Sequence, residues 1–592
     1  MAVTRIFDLL DRYKNNLIKD AALAGKSNGK WVKYSTEDYI NYSCNFSYGL
    51  LELGLKKGDK IATISSNCPE WNFVDMGMSQ IGVVHVPIYP TISAEEHKYI
   101  LNHCEAKLII LSDKIIYSKL KTIIEETPNL KKVYSFNDIE NVSSWREIIE
   151  LGKKNKNKYS DTLEKIKSEI NENDILTLIY TSGTTGTPKG VMLSHKNILS
   201  NSIAVTKHQL VTSDEIVLSF LPLCHVYERM MNYHYQYKGI GIYYSENLGA
   251  IADDILEIKP FGFNTVPRLL EKIYAKVIAK GKSLPFLKKI LFFWAVNLTT
   301  QFDFNNKNLW HKIQLIIADK LIYKQFRKAL GGNIKLIVCG GSSLQVKLAK
   351  FFWASKIPIL EGYGLTEASP VISVNHLTGP GNIKIGTVGP ILEGVEVKIA
   401  HDGEILCKGP NIMQGYYKDP DYTKEIIDSE GWLHTGDIGI IEDNKFLKIT
   451  DRKKEIFKTS GGKYIAPQLI ENLFKESYFI DQVMVVGENE KFASALISPN
   501  FNNLQYWANK HKIDFKNNAE LLVFPKVIAR FQKEVDKYNK ILGSTEQIKR
   551  FKLVNDEWTP QSGELSQTLK LKRKVIYKKY DSLLKEIYFY QN

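Results

Sequence analysis

An apolar run, a loop rich in glycine and threonine, and a second apolar run occupy residues 175–194, which read ILTLIY, TSGTTGTPKG and VMLS. Glycines let backbone N–H groups approach an anion closely, and the hydroxyl groups add further donors. Lys189 adds a compact positive charge suited to phosphate oxygens. The pattern predicts a phosphate-binding loop whose contacts come from Thr181, Ser182, Gly183, Thr184, Thr185, Gly186 and Lys189.

The loop is not the GxxxxGK[ST] type, because that loop needs a serine or threonine after its lysine and a helix directly behind it. Here Gly190 follows the lysine, and a short apolar run comes next. Serine is a preferred N-cap residue, so Ser194 is expected to cap the helix after that run. We therefore expect the loop to join two strands, like a flap over a triphosphate.

Apolar runs of strand length alternate with helical patterns through most of the chain, which favours layered α/β sheets. The predicted strands include Lys60–Ser65, Val83–Ile88, Ala106–Leu111, Ile175–Tyr180, Lys335–Cys339 and Gln482–Val486.

Two stretches differ from this pattern. Many short β-like segments with glycines lie between Gly379 and Tyr417 and predict a smaller β-rich subdomain. Residues 152–167 are rich in Lys and Asn and poor in apolar residues, so we expect an exposed connection there. The fold class is therefore α/β, with a large N-terminal domain (1–450) and a small α+β C-terminal domain (451–592).

Composition excludes some classes of protein. The chain has 592 residues, of which 44% are hydrophobic and 24% charged, values typical of globular domains. Its formal net charge of +14 suits anionic partners but does not choose among them. The six cysteines form no CxxC pair, which argues against a zinc or disulfide framework and favours a reducing compartment. The most apolar run, Leu287–Leu298, is too short to span a bilayer and predicts a core helix, with a monotopic membrane contact as the alternative.

The phosphate loop resembles the signature of the adenylate-forming superfamily, which contains acyl-CoA synthetases, luciferases and peptide-synthetase adenylation domains. Residues 361–367 read EGYGLTE and resemble that family's next motif. The resemblance implies that Tyr363 stacks on adenine beside Gly364, that Thr366 contacts the α-phosphate and that Glu367 binds Mg²⁺. A carboxylate acting together with phosphate oxygens is a chemically sensible magnesium site.

Other segments resemble further parts of the same family. Gly340 and Gly341 resemble the adenine-side turn, and Asp437 in the sequence HTGD stands where the family binds ribose. Asp451 resembles the hinge residue between the two domains, and Arg452 would reach the nucleotide. The loop expected to meet CoA contains Gly461, Gly462, Lys463 and Tyr464.

The catalytic lysine of the family lies near the C-terminus. Residues 568–573 read TLKLKR, a form typical of long-chain fatty acyl members, and the register favours Lys570. Lys572 and Lys574 lie close by and leave that register open.

Several motifs resemble the long-chain fatty acyl-CoA synthetases more than other branches. They are LPLCHVYERM at 221–230, VPRLL at 266–270 and PVISVN at 370–375. In the family, the histidine at the position of His225 lies beside the substrate carboxylate. An aryl or medium-chain acid remains the alternative substrate, and a non-enzymatic sensor or a nucleic-acid binder is disfavoured by the motifs present.

The resemblance implies a two-step reaction with ATP, Mg²⁺ and CoA: acyl-AMP and pyrophosphate form first, and the acyl group then passes to CoA. Between the steps the mobile C-terminal domain would rotate about Asp451 and withdraw Lys570. We expect a cytoplasmic enzyme without nucleic-acid partners. A peripheral contact with the inner face of a membrane and a homodimer are both compatible with the sequence.

Overall fold

A computed structural model describes residues 3–182, 187–208, 211–247, 249–305, 308–378, 381–566 and 569–588. The chain divides into two compact units. Unit 1 comprises residues 1–341, 350–397 and 406–434, and unit 2 comprises residues 342–349, 398–405 and 435–592.

The strands are β1 Leu23–Ser27, β2 Lys30–Tyr34, β3 Lys60–Ile64, β4 Val84–Ile88, β5 Leu108–Leu111, β6 Lys132–Ser135, β7 Ser143–Ser144, β8 Ile175–Ser182, β9 Pro188–Ser194, β10 Ile216–Ser219, β11 Gly241–Tyr244, β12 Gly262–Thr265, β13 Leu336–Cys339, β14 Ile359–Gly364, β15 Val371–Val374, β16 Glu396–Ile399, β17 Glu404–Lys408, β18 Gly415–Tyr416, β19 Leu433–Glu442, β20 Phe446–Arg452, β21 Phe457–Lys458, β22 Tyr464–Ile465, β23 Ile480–Val486, β24 Ser494–Pro499 and β25 Arg550–Leu553.

The helices are α1 Asp8–Asn16, α2 Thr36–Glu52, α3 Pro69–Gln80, α4 Ala94–Cys104, α5 Lys114–Glu125, α6 Trp145–Glu169, α7 His195–Thr206, α8 Val226–Lys238, α9 Ile251–Ile258, α10 Pro267–Lys282, α11 Phe286–Thr300, α12 Leu309–Ala318, α13 Lys324–Ala329, α14 Val346–Ala354, α15 Pro420–Ile426, α16 Pro467–Phe474, α17 Phe501–Lys510, α18 Asn518–Leu522, α19 Pro525–Asn539, α20 Arg573–Lys579 and α21 Asp581–Tyr588. A π-helical turn, Asp319–Tyr323, joins α12 to α13, and a 3₁₀ turn spans Thr366–Ala368.

Unit 1 is built on two eight-stranded sheets, which confirms the predicted layered α/β architecture. One has the order β15-β14-β13-β12-β10-β11-β1-β2, with parallel neighbours except at its two ends. The other has the order β18-β9-β8-β4-β3-β5-β6-β7 and is parallel from β8 to β7. Their central strands are buried on both faces, as parallel strands covered by helices usually are.

The hairpin around the phosphate loop has the predicted form. β8 and β9 pair antiparallel, so the loop between them joins two strands rather than a strand and a helix. Ser194 caps α7, because its hydroxyl accepts the N–H of Asn197 while the Asn197 side chain accepts the N–H of Ser194.

The β-rich region extends further than predicted. Its four-stranded sheet, with the order β16-β17-β19-β20, begins at Glu396 and ends only at Arg452. Unit 2 contains the hairpin β21-β22 and the sheet β23-β24-β25, which packs against α16, α17 and α19. Asp451 lies inside β20, paired with Ile438, and the boundary at 450/451 stays a prediction.

The predicted connection at 152–167 is wrong, because these residues belong to the 25-residue helix α6. Ser144 caps that helix, and its exposed faces carry the lysines that made the stretch resemble a loop. Gly152 is buried where α6 crosses α2, and a Cβ there would lie 1.8 Å from the backbone oxygen of Asn45. The glycine therefore allows a close helix crossing rather than marking a turn.

The prediction of a core helix at 287–298 holds for only half of α11. Phe292, Ala295 and Leu298 are buried, whereas Phe286 and Leu287 at its start are exposed. None of the helices within the described ranges combines the length and the apolar composition that a bilayer span requires.

Candidate functional site

The predicted site residues of unit 1 follow the carboxyl ends of sheet strands, where open α/β sheets bind their ligands. His225 comes after β10, Gly340 and Gly341 come directly after β13, and Tyr363 lies in the last residues of β14. In the sheet, β14 neighbours β13, which neighbours β12, which neighbours β10. Sheet topology therefore brings segments from distant parts of the sequence to one edge.

The phosphate loop is described only at its two ends. Thr181 pairs with Lys189 and Ser182 with Pro188 across the hairpin. The predicted contacts at Gly183, Thr184, Thr185 and Gly186 lie outside the described residues, as does the side chain of Ser182.

Lys189 is held by a carboxylate and an aromatic ring. Its Nζ lies 2.9 Å from Oδ2 of Asp419 and 3.3 Å from the ring centroid of Tyr422. Asp419 is the N-cap of α15, and the hydrogen bond from Lys189 lowers the pKa of its carboxyl group. An ion pair combined with a cation–π contact fixes this ammonium group at the end of the hairpin.

Glu367 is hydrogen-bonded to a second tyrosine, which stacks on Tyr422. The Tyr416 hydroxyl donates a hydrogen bond of 2.7 Å to Oε1 of Glu367, and the Tyr416 ring stacks on Tyr422. Burial raises the pKa of Tyr416, so this hydroxyl keeps its proton and remains a donor. The structure thus links the predicted magnesium ligand to Lys189 through two tyrosines.

The EGYGLTE segment has little freedom to move. Asn411 donates to the backbone oxygen of Ala368, and the Met413 N–H donates to the backbone oxygen of Glu367 over 2.8 Å. A Cβ at Gly364 would lie 1.8 Å from the backbone oxygen of Pro370, so only glycine fits there. Thr366 is buried within the 3₁₀ turn.

His225 precedes α8 and accepts the N–H of Tyr227 at its Nδ1, over 3.2 Å. In the neutral imidazole Nε2 then carries the proton. The Tyr227 hydroxyl donates to the backbone oxygen of Val338, and its ring lies 3.5 Å from where a Cβ on Gly340 would be. Tyr227 therefore joins the predicted carboxylate-side histidine to the predicted adenine-side turn.

A buried charged network anchors α8 beneath this site. Arg229 donates to Asp75 of α3 over 2.5 Å and to Thr177 of β8 over 2.7 Å. Asp75 also makes a 2.6 Å hydrogen bond with His85, whose pKa burial lowers to about 4. Arg229 and Asp75 are both almost fully buried. The network ties the helix after His225 to the strand that leads into the phosphate loop.

In unit 2, the predicted ribose and nucleotide residues are cross-strand partners. Asp437 in β19 pairs with Arg452 in β20, and Nε of Arg452 lies 3.3 Å from Oδ1 of Asp437. The neighbouring Asp451 accepts N–H groups from Arg452 and Gln468, and burial raises its pKa to about 6.

A clamp that the sequence did not reveal holds the turn before Asp437. Lys453 lies 2.7 Å from both Asp402 and Glu404, and the second oxygen of Glu404 accepts the N–H of Gly436 over 2.9 Å. The N–H of Lys453 donates to the oxygen of Gly436. No sequence motif marked Glu404, because its role depends on a strand pairing.

The predicted CoA-side loop is a tight turn between β21 and β22. Gly462 has a left-handed φ of 78°, and Thr459 accepts the N–H groups of Gly462 and Lys463. The Tyr464 side chain is exposed. The turn, closed by these hydrogen bonds, therefore leaves Gly461–Tyr464 exposed.

Lys570 lies on a small hydrogen-bonded turn with Ser566. The Lys570 N–H donates to the Ser566 hydroxyl, and the Ser566 N–H donates to the Lys570 oxygen over 2.7 Å. Lys570 is half-buried, whereas Lys572 and Lys574 are exposed. Thr568 of the same motif lies outside the described residues.

Among the described side chains, no group of three His, Cys, Asp or Glu residues is arranged to hold a metal ion. Sequence reasoning also missed Tyr416, Asp419 and Tyr422, which surround Lys189. The only signal was the turn-like stretch GYYKDPDY at 415–422, which has no meaning without its partners.

Comparison with known families gives two matches. Residues 13–417 match the family described as AMP-binding enzyme, and residues 454–592 match the AMP-binding enzyme C-terminal domain.

Among curated proteins, the chain is 30% identical over 574 residues to the long-chain-fatty-acid–CoA ligase FadD15 of Mycobacterium bovis, covering 95% of this chain and 93% of that one. It is 31% identical over 605 residues to long chain acyl-CoA synthetase 3 of Arabidopsis thaliana, covering 95% and 87%. Among solved structures, the A domain of a carboxylic acid reductase from Segniliparus rugosus, in complex with AMP and a carboxylic acid, aligns with a TM-score of 0.73. That alignment covers 99% of this chain and 94% of the other at 20% identity, and it supports the fold class.

Proposed function

The chain belongs to the AMP-binding enzyme family, and on that premise we propose that it is an ATP-dependent long-chain fatty acid–CoA ligase. It activates a fatty acid as acyl-AMP, releases pyrophosphate and then transfers the acyl group to CoA. One observation carries the proposal: Lys189 and Glu367 both contact the stacked tyrosine pair at the end of the β8–β9 hairpin. The Lys189 ammonium lies over the rings of Tyr416 and Tyr422, and Glu367 accepts a hydrogen bond from Tyr416.

In the first step, a carboxylate oxygen attacks the α-phosphorus of ATP, and the bond to the bridging oxygen of pyrophosphate breaks. The protein's contribution is positioning and charge stabilisation. Residues 181–186 and Lys189 hold the phosphates, Thr366 contacts the α-phosphate, and Lys570 stabilises charge on the oxygens that leave.

Magnesium fits this donor set, because it is commonly held by one or two carboxylates together with substrate phosphates. Glu367 would bind it, and the ion would neutralise phosphate charge. The hydrogen bond from Tyr416 fixes the orientation of that carboxylate.

The nucleoside would be bound by the residues that the sequence motifs indicate. Tyr363 and Gly364 with Gly340 and Gly341 form the adenine side, and Asp437 accepts the ribose hydroxyls while Arg452 pairs with the nucleotide. The Asp437–Arg452 contact supports this assignment, since both side chains project from one hairpin.

In the second step, the thiol sulfur of CoA attacks the acyl carbon, AMP leaves with the carbon–oxygen bond pair, and the thiol proton passes to solvent. A C-terminal domain, residues 451–592, rotates about Asp451 relative to residues 1–450 between the steps. The turn Gly461–Tyr464 then faces the CoA pantetheine, and Lys570 is withdrawn.

The acid is proposed to be a long-chain fatty acid with its carboxylate beside His225. The relatives' names support this choice, and an aryl or medium-chain acid is the alternative. We also propose a cytoplasmic enzyme with a peripheral contact at the inner face of a membrane. A homodimer would be decided by measuring its molar mass in solution.

The test is pyrophosphate release from ATP and magnesium across acetate, octanoate, palmitate and benzoate, with and without CoA. The proposal expects the highest release with palmitate and turnover to acyl-CoA when CoA is present. A maximum with benzoate would move the substrate to the aryl class. ATP binding without release from any acid would refute a ligase and favour a sensor.

A further inference from the structure

The outer face of α12 and its π-helical turn is apolar and exposed. Large apolar side chains recur along it at helical spacing and continue across the turn. The residues that define this outer α12 face are Leu309, Trp310, Ile313, Ile316, Ile317 and Leu321. Leu309 and Trp310 are 74% and 64% exposed, values far from those of a packed helix.

The opposite side of the same helix is already in use. Ala318 and Tyr323 are buried with Ala295 and Leu298 of α11, and the Tyr323 hydroxyl donates to the backbone oxygen of Ala295 over 2.7 Å. The helix therefore already has a core to pack against, so the lack of one does not explain its exposed outer face. Isolated exposed apolar residues are ordinary, but a continuous stripe of them indicates a surface with a partner.

The chain segment that contains the stripe is rich in positive charge. Residues 280–328 contain ten lysines and arginines but only two aspartates, a large share of the chain's net charge of +14. Asp319 is already paired with Arg327 and Lys356. Within the described ranges, the exposed side chains of Lys312 and Lys320 form no ion pair.

We propose that the outer α12 face docks the protein onto an anionic lipid bilayer, with Trp310 and its apolar neighbours in the interface and the lysines against the headgroups. A helix with Trp and Leu on one side and Lys beside them suits a membrane interface. A second copy of this chain fits less well, because a two-fold contact would bring this positive surface against itself. The start of α11 exposes two further large apolar side chains, Phe286 and Leu287.

This inference rests on the peripheral membrane contact proposed above and gives it a location. It places a fatty acid ligase where its amphiphilic substrate is concentrated. It adds no residue to the catalytic site, so its failure leaves the ligase assignment intact.

The test is co-sedimentation of the full chain with vesicles of phosphatidylcholine alone or of phosphatidylcholine and phosphatidylglycerol at three to one. The variants are Trp310→Ser with Ile313→Ser, and Lys312→Ala with Lys320→Ala. Matched controls replace exposed residues elsewhere: Val523→Ser with Ile541→Ser, and Lys114→Ala with Lys121→Ala. Pyrophosphate release with water-soluble octanoate reports separately on folding and on ligase activity.

We expect binding to the anionic vesicles that weakens with salt. Each lysine removed lowers the partition coefficient by about five-fold, and the apolar pair lowers it by roughly ten-fold or more. Both controls and the octanoate activity stay at the wild-type level. Equal binding to neutral and anionic vesicles, no binding at all, or wild-type binding by both surface variants would overturn the proposal. So would a dimer, seen by sedimentation velocity, that the same surface variants dissociate.

Discussion

Replacing Arg229 by methionine tests whether the buried network beneath the site holds α8 in place. The substitution keeps much of the side-chain volume but removes the donors to Asp75, Thr177 and Tyr233. Asp75 would then be a buried carboxylate without its cationic partner. Removing one partner of a buried ion pair generally costs about 3–5 kcal/mol.

The lower end of that range applies here, because His85 and Tyr233 still form hydrogen bonds to the Asp75 carboxylate. Unfolding entropy is about 2.1 cal/mol/K per residue, which for the roughly 420 residues of unit 1 gives about 0.9 kcal/mol/K. A loss of about 3 kcal/mol therefore lowers the melting temperature of unit 1 by about 3 °C.

The assay is thermal unfolding of wild type, Arg229→Met, Asp75→Asn and the double variant at one scan rate. The double variant should recover at least half of the loss, because no charge then remains buried without a partner. Arg229→Met should also lower pyrophosphate release, since His225 and β8 lose their common anchor. An additive double variant, or a single variant that melts with the wild type, would refute this account of the network.

Four further outcomes are expected. Lys570→Ala should abolish pyrophosphate release yet keep thioester formation from supplied acyl-AMP, with the exposed Lys572→Ala as control; equal loss in both steps would contradict the role. Asp437→Asn should raise the KM for ATP about ten-fold or more, whereas Asp443→Asn on the same hairpin should not. Gly152→Val should lower the melting temperature by a few degrees, since overpacking costs about 1–3 kcal/mol, and the exposed Lys156→Val should have little effect. Burial raises the pKa of Asp451 in the folded state to about 6, so its contribution favours the folded state below that pH and is lost as pH rises through 6. Asp451→Asn should therefore flatten the pH dependence of the melting temperature between pH 4 and 7. An unchanged dependence would exclude Asp451 as its source.

The parts of the fold that were predictable depend on local patterns. The loop at 181–190 could be placed between two strands because apolar runs flank it on both sides and Ser194 marks the next helix start. Parallel strands buried on both faces appear as continuous apolar runs, which explains the accurate positions of β3 to β5.

The errors arose where tertiary contacts decide the meaning of a residue. Gly152 looks like a turn residue until α2 is placed against α6. The apolar run of α11 predicts burial, yet among the residues that the structure describes no partner covers Phe286 and Leu287 in its first turn. Propensity and composition alone cannot separate such cases.

In the site, too, features set by local sequence patterns were predictable and features set by tertiary contacts were not. The motif residues could be proposed from the sequence by resemblance, and their roles stay predictions, whereas the residues that contact them in the structure could not be named from the sequence. Asp419 and Tyr422 contact Lys189 across more than two hundred residues of sequence, and Glu404 reaches Gly436 only through strand pairing. A short carboxylate-bearing turn has no recognisable pattern of its own.

Asp419 gives the phosphate-loop lysine its own counter-ion. A nucleotide phosphate that binds Lys189 exchanges one anion for another instead of neutralising a solvated cation, so it displaces fewer salt ions from this position than a bare lysine would release. With the phosphate-binding role proposed for Lys189, the ATP affinity gained there is the difference between two ion pairs, and its dependence on ionic strength should be shallower than the loop's charge alone would indicate.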